Sequence, residues 1–292
     1  MVVGRADNAN WPLHDPVWAQ EAQRSQWKET PIPQGPVSQN IIDETNEDLE
    51  GLCDILRRYN VTVHRPASLN WQELDGFSVL NIRDRLLVAG EVIVDTAMMY
   101  PCRDQEIQAL NNITEGNTVL RMPRGKELVM DAANVCRLGD SWLYLESRGG
   151  SRAAGEWLGE RFPNINIYGC SAEGAVHINN VLVPLREGLI LVNAERIKSD
   201  AFLPKILEKW EKVWISDLVA QDFDQYPCAS KWVGMNLFSI NPETVIVEAS
   251  QIDLINRIEQ YGITVIPHPM RHARTLGCGL HSVTLDVCRK NT

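Results

Sequence analysis

Apolar and polar positions in this chain fall into a unit that recurs. Leu86-Leu-Val-Ala-Gly90-Glu-Val-Ile-Val-Asp95, Val135-Cys-Arg-Leu-Gly139-Asp-Ser-Trp-Leu-Tyr-Leu145 and Val181-Leu-Val-Pro-Leu-Arg-Glu-Gly188-Leu-Ile-Leu-Val-Asn193 each read as two strands around a tight glycine turn. Gly90, Gly139 and Gly188 recur at intervals of 49 residues. A fourth copy, Leu237-Phe-Ser-Ile-Asn-Pro242-Glu-Thr-Val-Ile-Val-Glu248, turns on Asn-Pro-Glu. Helical spacing follows each hairpin, over 104–111, 152–161, 203–211 and 251–261, and then a further strand at 118–122, 165–168, 213–215 and 263–266. An earlier unit, helix 44–59 and strand 61–64, lacks a hairpin. The runs Met1-Val-Val3 and Val283-Thr-Leu-Asp-Val287 also lack partners. Pairing them supplies a fifth hairpin and turns five units into a ring, which protects sheet edges. An open α/β sheet is the competing reading, and no dinucleotide-binding fingerprint supports it. The expectation is an α/β ring over 1–292, as a single domain.

The same point of each unit carries polar residues. Asn81-Ile-Arg83-Asp84 precedes the first hairpin, Asp131-Ala-Ala-Asn134 the second and His177-Ile-Asn179-Asn180 the third. Ser230-Lys-Trp232 precedes the fourth, and His281-Ser282 the closing strand. In a pseudosymmetric ring these points meet near the axis. Asp84, Asp131, His177 and Ser282 then converge, a set suited to nucleophilic chemistry on a cationic substrate. Taken singly, each aspartate reads as a turn cap and His177 as a satisfied core histidine. Their shared place in the repeat favours function.

Composition narrows the partners. Lys and Arg number 28 against 38 Asp and Glu, a formal charge of −10. Such a surface repels phosphate backbones and anionic lipid, so neither nucleic acid nor membrane is expected. The apolar runs, such as Leu189-Ile-Leu-Val192, fall far short of the roughly 20 residues of a membrane span. No basic segment followed by an apolar stretch opens the chain. Seven cysteines, an odd number without a C-x-x-C pair, read as free thiols in a reducing cytoplasm. His268-Pro-Met-Arg-His272 has the spacing of a ligand pair, but Pro269 argues against a helix there, so no metal is assigned. No cofactor is implied.

The chain resembles the amidinotransferases, both the glycine type and the arginine:inosamine-phosphate type. The matching pieces include Val3-Gly-Arg-Ala-Asp-Asn-Ala9, Val61-Thr-Val-His-Arg-Pro66, Arg83-Asp84, Asp131-Ala-Ala-Asn134, His177-Ile-Asn179, Trp232-Val-Gly-Met-Asn236 and Arg274-Thr-Leu-Gly-Cys-Gly-Leu-His-Ser-Val-Thr-Leu-Asp286. Val183-Pro-Leu, Gly234 and Arg274-Thr-Leu bring it nearer the inosamine-phosphate type. The resemblance implies the five-bladed α/β propeller, or pentein fold, and a biosynthetic transferase. It implies ping-pong transfer of an amidino group from arginine to an acceptor amine through a cysteine-bound intermediate. It gives Asp131 and His177 catalytic roles, Asp131 orienting the histidine, and it puts Asp84 beside the guanidinium. Arg196 matches the arginine that binds a substrate carboxylate, and Ser230 a substrate-contacting serine. Small guanidine or amine molecules of the arginine and ornithine kind are the expected partners, and a homodimer is left open.

Two positions depart from the family pattern. The nucleophile in a Gly-Gly-Gly-Phe-His-Cys motif is here Ser282, in Gly277-Cys-Gly-Leu-His-Ser282. The aspartate two residues after the histidine is here Asn179, which removes a charge from the substrate-binding set. Amidino transfer is therefore expected to be lost or altered. Three alternatives stand beside it: a noncatalytic ligand-binding homologue, a hydrolase or acyl transferase using Ser282 with His177, and a nucleophile moved to Cys278.

Overall fold

Gly90, Gly139 and Gly188 take φ values of 60°, 65° and 79°. A Cβ disfavours that left-handed region, so glycine sets the hairpins at these points. The computed structural model describes residues 1–24, 30–125 and 127–288. In it each glycine turn joins an antiparallel pair, and a third strand then runs parallel to the second. The first blade is Leu86–Ala89, Val92–Asp95 and Thr118–Arg121. The second is Val135–Leu138, Ser141–Glu146 and Asn166–Ser171. The third is Leu182–Arg186, Leu189–Asn193 and Glu211–Ile215. The fourth is Phe238–Asn241, Thr244–Glu248 and Thr264–His268. Its turn has no glycine; instead Asn241 Oδ1 accepts from the Glu243 N–H at 2.9 Å, a side-chain mimic of a backbone turn. The middle strands Leu189–Asn193 and Thr244–Glu248 are buried at every residue. That is why they read as continuous apolar runs rather than alternating ones.

The termini supply the fifth blade. Val2 and Val3 pair antiparallel with Leu285 and Thr284, and Val2 bridges His64 in parallel. This repeats the hairpin-plus-parallel-strand plan of the other four. The turns before the hairpins, Ile82–Arg85, Ala132–Asn134, Ile178–Asn180 and Lys231–Met235, touch one another in succession. Ala273–Leu276 touches the last of them, and Thr284–Leu285 touches the first, so the circuit closes. The architecture is a five-bladed α/β propeller, the pentein fold.

The crossovers differ more than the sequence pattern suggests. Gln39–Arg58 is a long helix that buries Ile41, Leu49, Leu52 and Leu56, and Arg152–Arg161 and Ile252–Glu259 are helical as expected. The helix expected over 203–211 is absent. In its place are two short 3-10 turns, Asp200–Phe202 and Lys205–Leu207. Pro204 lacks an N–H to donate, and the strand beginning at Glu211 leaves no room for helical turns beyond it. The first crossover is a 3-10 helix, Pro101–Leu110, followed by the single turn Asn111–Thr114. Among the described residues, no helix is long and apolar enough to cross a membrane.

Candidate active site

A cavity of about 320 Å³ opens at the strand ends where the pre-hairpin turns meet. Its floor carries Asp84, Asp131 and His177. All three stand at the same point of their units, and the ring brings them together. Asp131 is buried; its Oδ1 accepts from the Met99 N–H at 2.9 Å and its Oδ2 meets His177 Nε2 at 2.8 Å. Asp84 Oδ1 lies 3.7 Å from His177 Nδ1 and has no hydrogen-bond partner among the described residues. Burial disfavours the imidazolium, but Asp84 and the Asp131 hydrogen bond outweigh it and raise the His177 pKa above the ordinary value. Burial likewise opposes the Asp131 carboxylate, but the His177 hydrogen bond and charge, with Arg103 and the Met99 N–H, hold its pKa below the usual range.

Arg103 holds the other side of Asp84. Its Nη1 donates to Asp84 Oδ2 at 2.8 Å, and its Nε and Nη2 donate to Glu106 at 2.6 and 3.0 Å. The i, i+3 spacing of Arg103 and Glu106 works because the 3-10 helix Pro101–Leu110 has three residues per turn, which puts them on one face. Glu106 is fully buried. Neither residue stands out in the sequence, since an Arg-x-x-Glu pair on a polar segment reads as a solvated face.

Arg196 and Ser230 also line the cavity, where the resemblance puts them. Arg196 Nη1 donates to the Glu173 carbonyl at 2.6 Å, and Asn193 Oδ1 accepts from its backbone N–H. Ser230 caps the turn Lys231–Met235. Other lining residues also escaped the sequence reading. Arg148 pairs with Glu21 at the rim. Trp18, Phe77 and Tyr100 form an aromatic wall. Asp15 places Trp18: its Oδ1 caps the helix Pro16–Arg24, accepting from the N–H groups of Val17 and Trp18, while its Oδ2 accepts from the Cys102 N–H.

Ser282 and Asn179 do not line this cavity, contrary to expectation. Ser282 is 3% exposed, and its Oγ accepts from Asn179 Nδ2 at 3.2 Å and Asn236 Nδ2 at 2.9 Å. Its backbone N–H donates to Asn236 Oδ1. These amides hold the hydroxyl in a polar plug beneath the floor. Asn179 turns away because Ile178–Asn180 is a single 3-10 turn, so its neighbour Asn180 takes the place on the cavity side. Cys278 lies off the cavity too, its thiol pushed up to about 12 by burial. Cys228 does line it, with its thiol also raised by burial. His268 and His272 are engaged separately, by the Asp48 carbonyl and by Glu44. Among the described residues, no three His, Cys, Asp or Glu side chains are grouped as a metal site.

No protein-family model matches the chain. A putative inosamine-phosphate amidinotransferase of Streptomyces griseus is 33% identical over 308 residues, spanning 93% of this chain and 87% of the relative. The mitochondrial glycine amidinotransferase of Xenopus tropicalis is 24% identical over 100% of this chain and 81% of its own. Among solved structures, an inosamine-phosphate amidinotransferase of Streptomyces griseus superposes with a TM-score of 0.91 at 31% identity, covering 100% of this chain and 94% of the other.

Proposed function

This chain belongs to the amidinotransferase family, and on that premise we propose that the cavity holds an arginine-like guanidino ligand and that Ser282 carries no amidino group. Asp84 Oδ1 carries the reading. It is a buried carboxylate oxygen beside the cavity with no hydrogen-bond partner among the described residues. Such an atom is costly unless a donor reaches it, and a guanidinium N–H is a fitting donor. Arg196 takes the ligand's carboxylate at the other end. Asp131 orients His177 and keeps a proton on it.

The acyl-transfer alternative fares worse. Nucleophilic serine chemistry needs the hydroxyl bonded to its base. Here both ring nitrogens of His177 face carboxylates, and the Ser282 hydroxyl is held by Asn179 and Asn236. A binding site that retains guanidinium recognition without the covalent step fits both facts.

The test is calorimetric titration with arginine. Asp84→Asn removes one charge-assisted partner, worth roughly 1–3 kcal/mol, so affinity should fall about ten- to a hundredfold. Unchanged affinity would remove the guanidinium from Asp84.

The same titration has a pH signature. His177 is protonated more readily than a free histidine because two carboxylates face it. A guanidinium entering between those carboxylates competes with the imidazolium, so binding should release a proton. Arginine affinity should therefore rise with pH through the range in which the free protein's His177, its pKa raised, gives up its proton, and level off once His177 is neutral. Titrations in buffers of different ionisation enthalpy give the proton count. Proton uptake, or none at all, would contradict the arrangement.

A further inference from the structure

Asn81 stands three residues before Asp84 and opens the turn Ile82–Arg85 that carries it. An asparagine at such a point ordinarily folds its side chain back to cap the N–H groups of the turn. This one makes no cap; the Asn81 backbone carbonyl accepts from the Asp84 N–H instead, at 3.1 Å. The side chain reaches across to the segment before the closing strand. Its Nδ2 donates to the carbonyl of Gly277 at 3.2 Å and lies 3.4 Å from that of Leu276. Carbonyl oxygens only accept, so these contacts decide which end of the amide is nitrogen and fix Oδ1 as the other end.

That oxygen is buried and has no hydrogen-bond partner among the described residues, on a side chain from a residue only 7% exposed. Asn81, Asp84, Leu276 and Gly277 all line the first cavity. One turn thus gives the cavity two residues that each keep an acceptor without a donor, Asn81 Oδ1 and Asp84 Oδ1. A buried acceptor in this state is costly until a donor arrives. The two ask for different things. Asp84 rewards positive charge, whereas the neutral Asn81 oxygen rewards an N–H and penalises a lone pair. A guanidinium carries N–H groups on all three nitrogens and accepts at none, so one head group serves both. A ureido head has nearly the same planar shape, but an oxygen replaces one of the nitrogens. It brings an acceptor to a place that already has two.

We propose that Asn81 is a second recognition residue of this cavity, selecting with Asp84 a guanidino head over a ureido one. The inference rests on the guanidinium reading of Asp84 and adds to it a neutral acceptor that reads donors rather than charge.

The experiment compares arginine with citrulline, its ureido counterpart, on the whole chain, arginine by direct calorimetry and citrulline by competition against it. Arginine should bind at least about a hundredfold more tightly, since citrulline lacks both the charge and one donor. Asn81→Leu keeps the size of the side chain and removes its oxygen. Arginine affinity should then fall about three- to tenfold, the worth of one neutral acceptor, while citrulline binds as well as before or better. The arginine-to-citrulline ratio should therefore narrow. A side chain that only anchors the turn to Leu276 and Gly277 would weaken both ligands by one factor and leave the ratio alone. Melting curves without ligand show whether the variant is folded; if Asn81→Leu is not, the same ratio in Asn81→Ser decides. If arginine fails to bind the unaltered chain, or binds Asp84→Asn equally well, the guanidinium reading falls and this inference with it. If arginine passes both checks and the ratio is unmoved or wider in the Asn81 variant, the role of Asn81 alone is overturned.

Discussion

Incubated with arginine, this chain should acquire no amidino adduct. A thiol ionises near pH 8.5 and is readily lowered beside cationic or hydrogen-bonding groups. The amides of Asn179 and Asn236, 3.2 and 2.9 Å from Ser282 Oγ, are donors of that kind. They would steady a thiolate at this position. A serine hydroxyl ionises far above neutral pH, and no hydrogen bond to His177 is there to take its proton. The guanidinium it would attack is already cationic and a poor electrophile. Its carbon develops no oxyanion, so the donor pairs that rescue serine in acyl transfer have nothing to act on. The deficit falls on the transition state, at roughly 4 kcal/mol or more, a rate loss of at least about a thousandfold. Intact-protein mass spectrometry before and after arginine reads the result. An adduct on the unaltered chain that maps to Ser282 would refute it. One that maps to Cys102 or Cys228, the two cysteines lining the cavity among the described residues, would show that the nucleophile had moved.

The ring and much of its floor were legible in the sequence because both follow from periodicity. Turn glycines at even spacing announce hairpins whose φ values need glycine. The unpaired runs at the two ends found each other for the reason that unpaired strand edges usually do. Asp84, Asp131 and His177 were found by position in the repeat, since pseudosymmetry carries equivalent points to one axis. Direction was not legible. Asn179 and Asn180 are adjacent in one 3-10 turn, and only the turn's orientation decides which faces the cavity. Ser282 sits beneath the floor for a similar reason: the Asn236 amide that captures it is 46 residues away. Pro204 shows the limit of counting apolar positions, because helical spacing continued across a residue that cannot donate. The Arg103–Glu106 pair was missed because its partner, Asp84, comes from another part of the unit.

That pair should be among the most stability-critical features of the molecule. Among the described residues, Arg103 is the one group bonded to Asp84 Oδ2 and to both oxygens of Glu106, and it also donates to the Asn81 carbonyl. All three charged side chains are at least nine-tenths buried. The attraction within such a cluster roughly offsets the cost of removing its charges from water, so the net contribution of the intact group is modest. Removing the middle member is different. Arg103→Met leaves two carboxylates facing each other across an apolar side chain, and a buried pair broken in this way costs roughly 3–5 kcal/mol. The double variant Arg103→Met with Glu106→Leu removes one stranded charge and should recover much of that loss. Asp84 would still lack its anchor, so arginine affinity should stay reduced even where stability returns. Urea unfolding of the single and double variants separates the two effects. If Arg103→Met unfolds at the same urea concentration as the unaltered chain, the cluster is not holding the floor of the cavity.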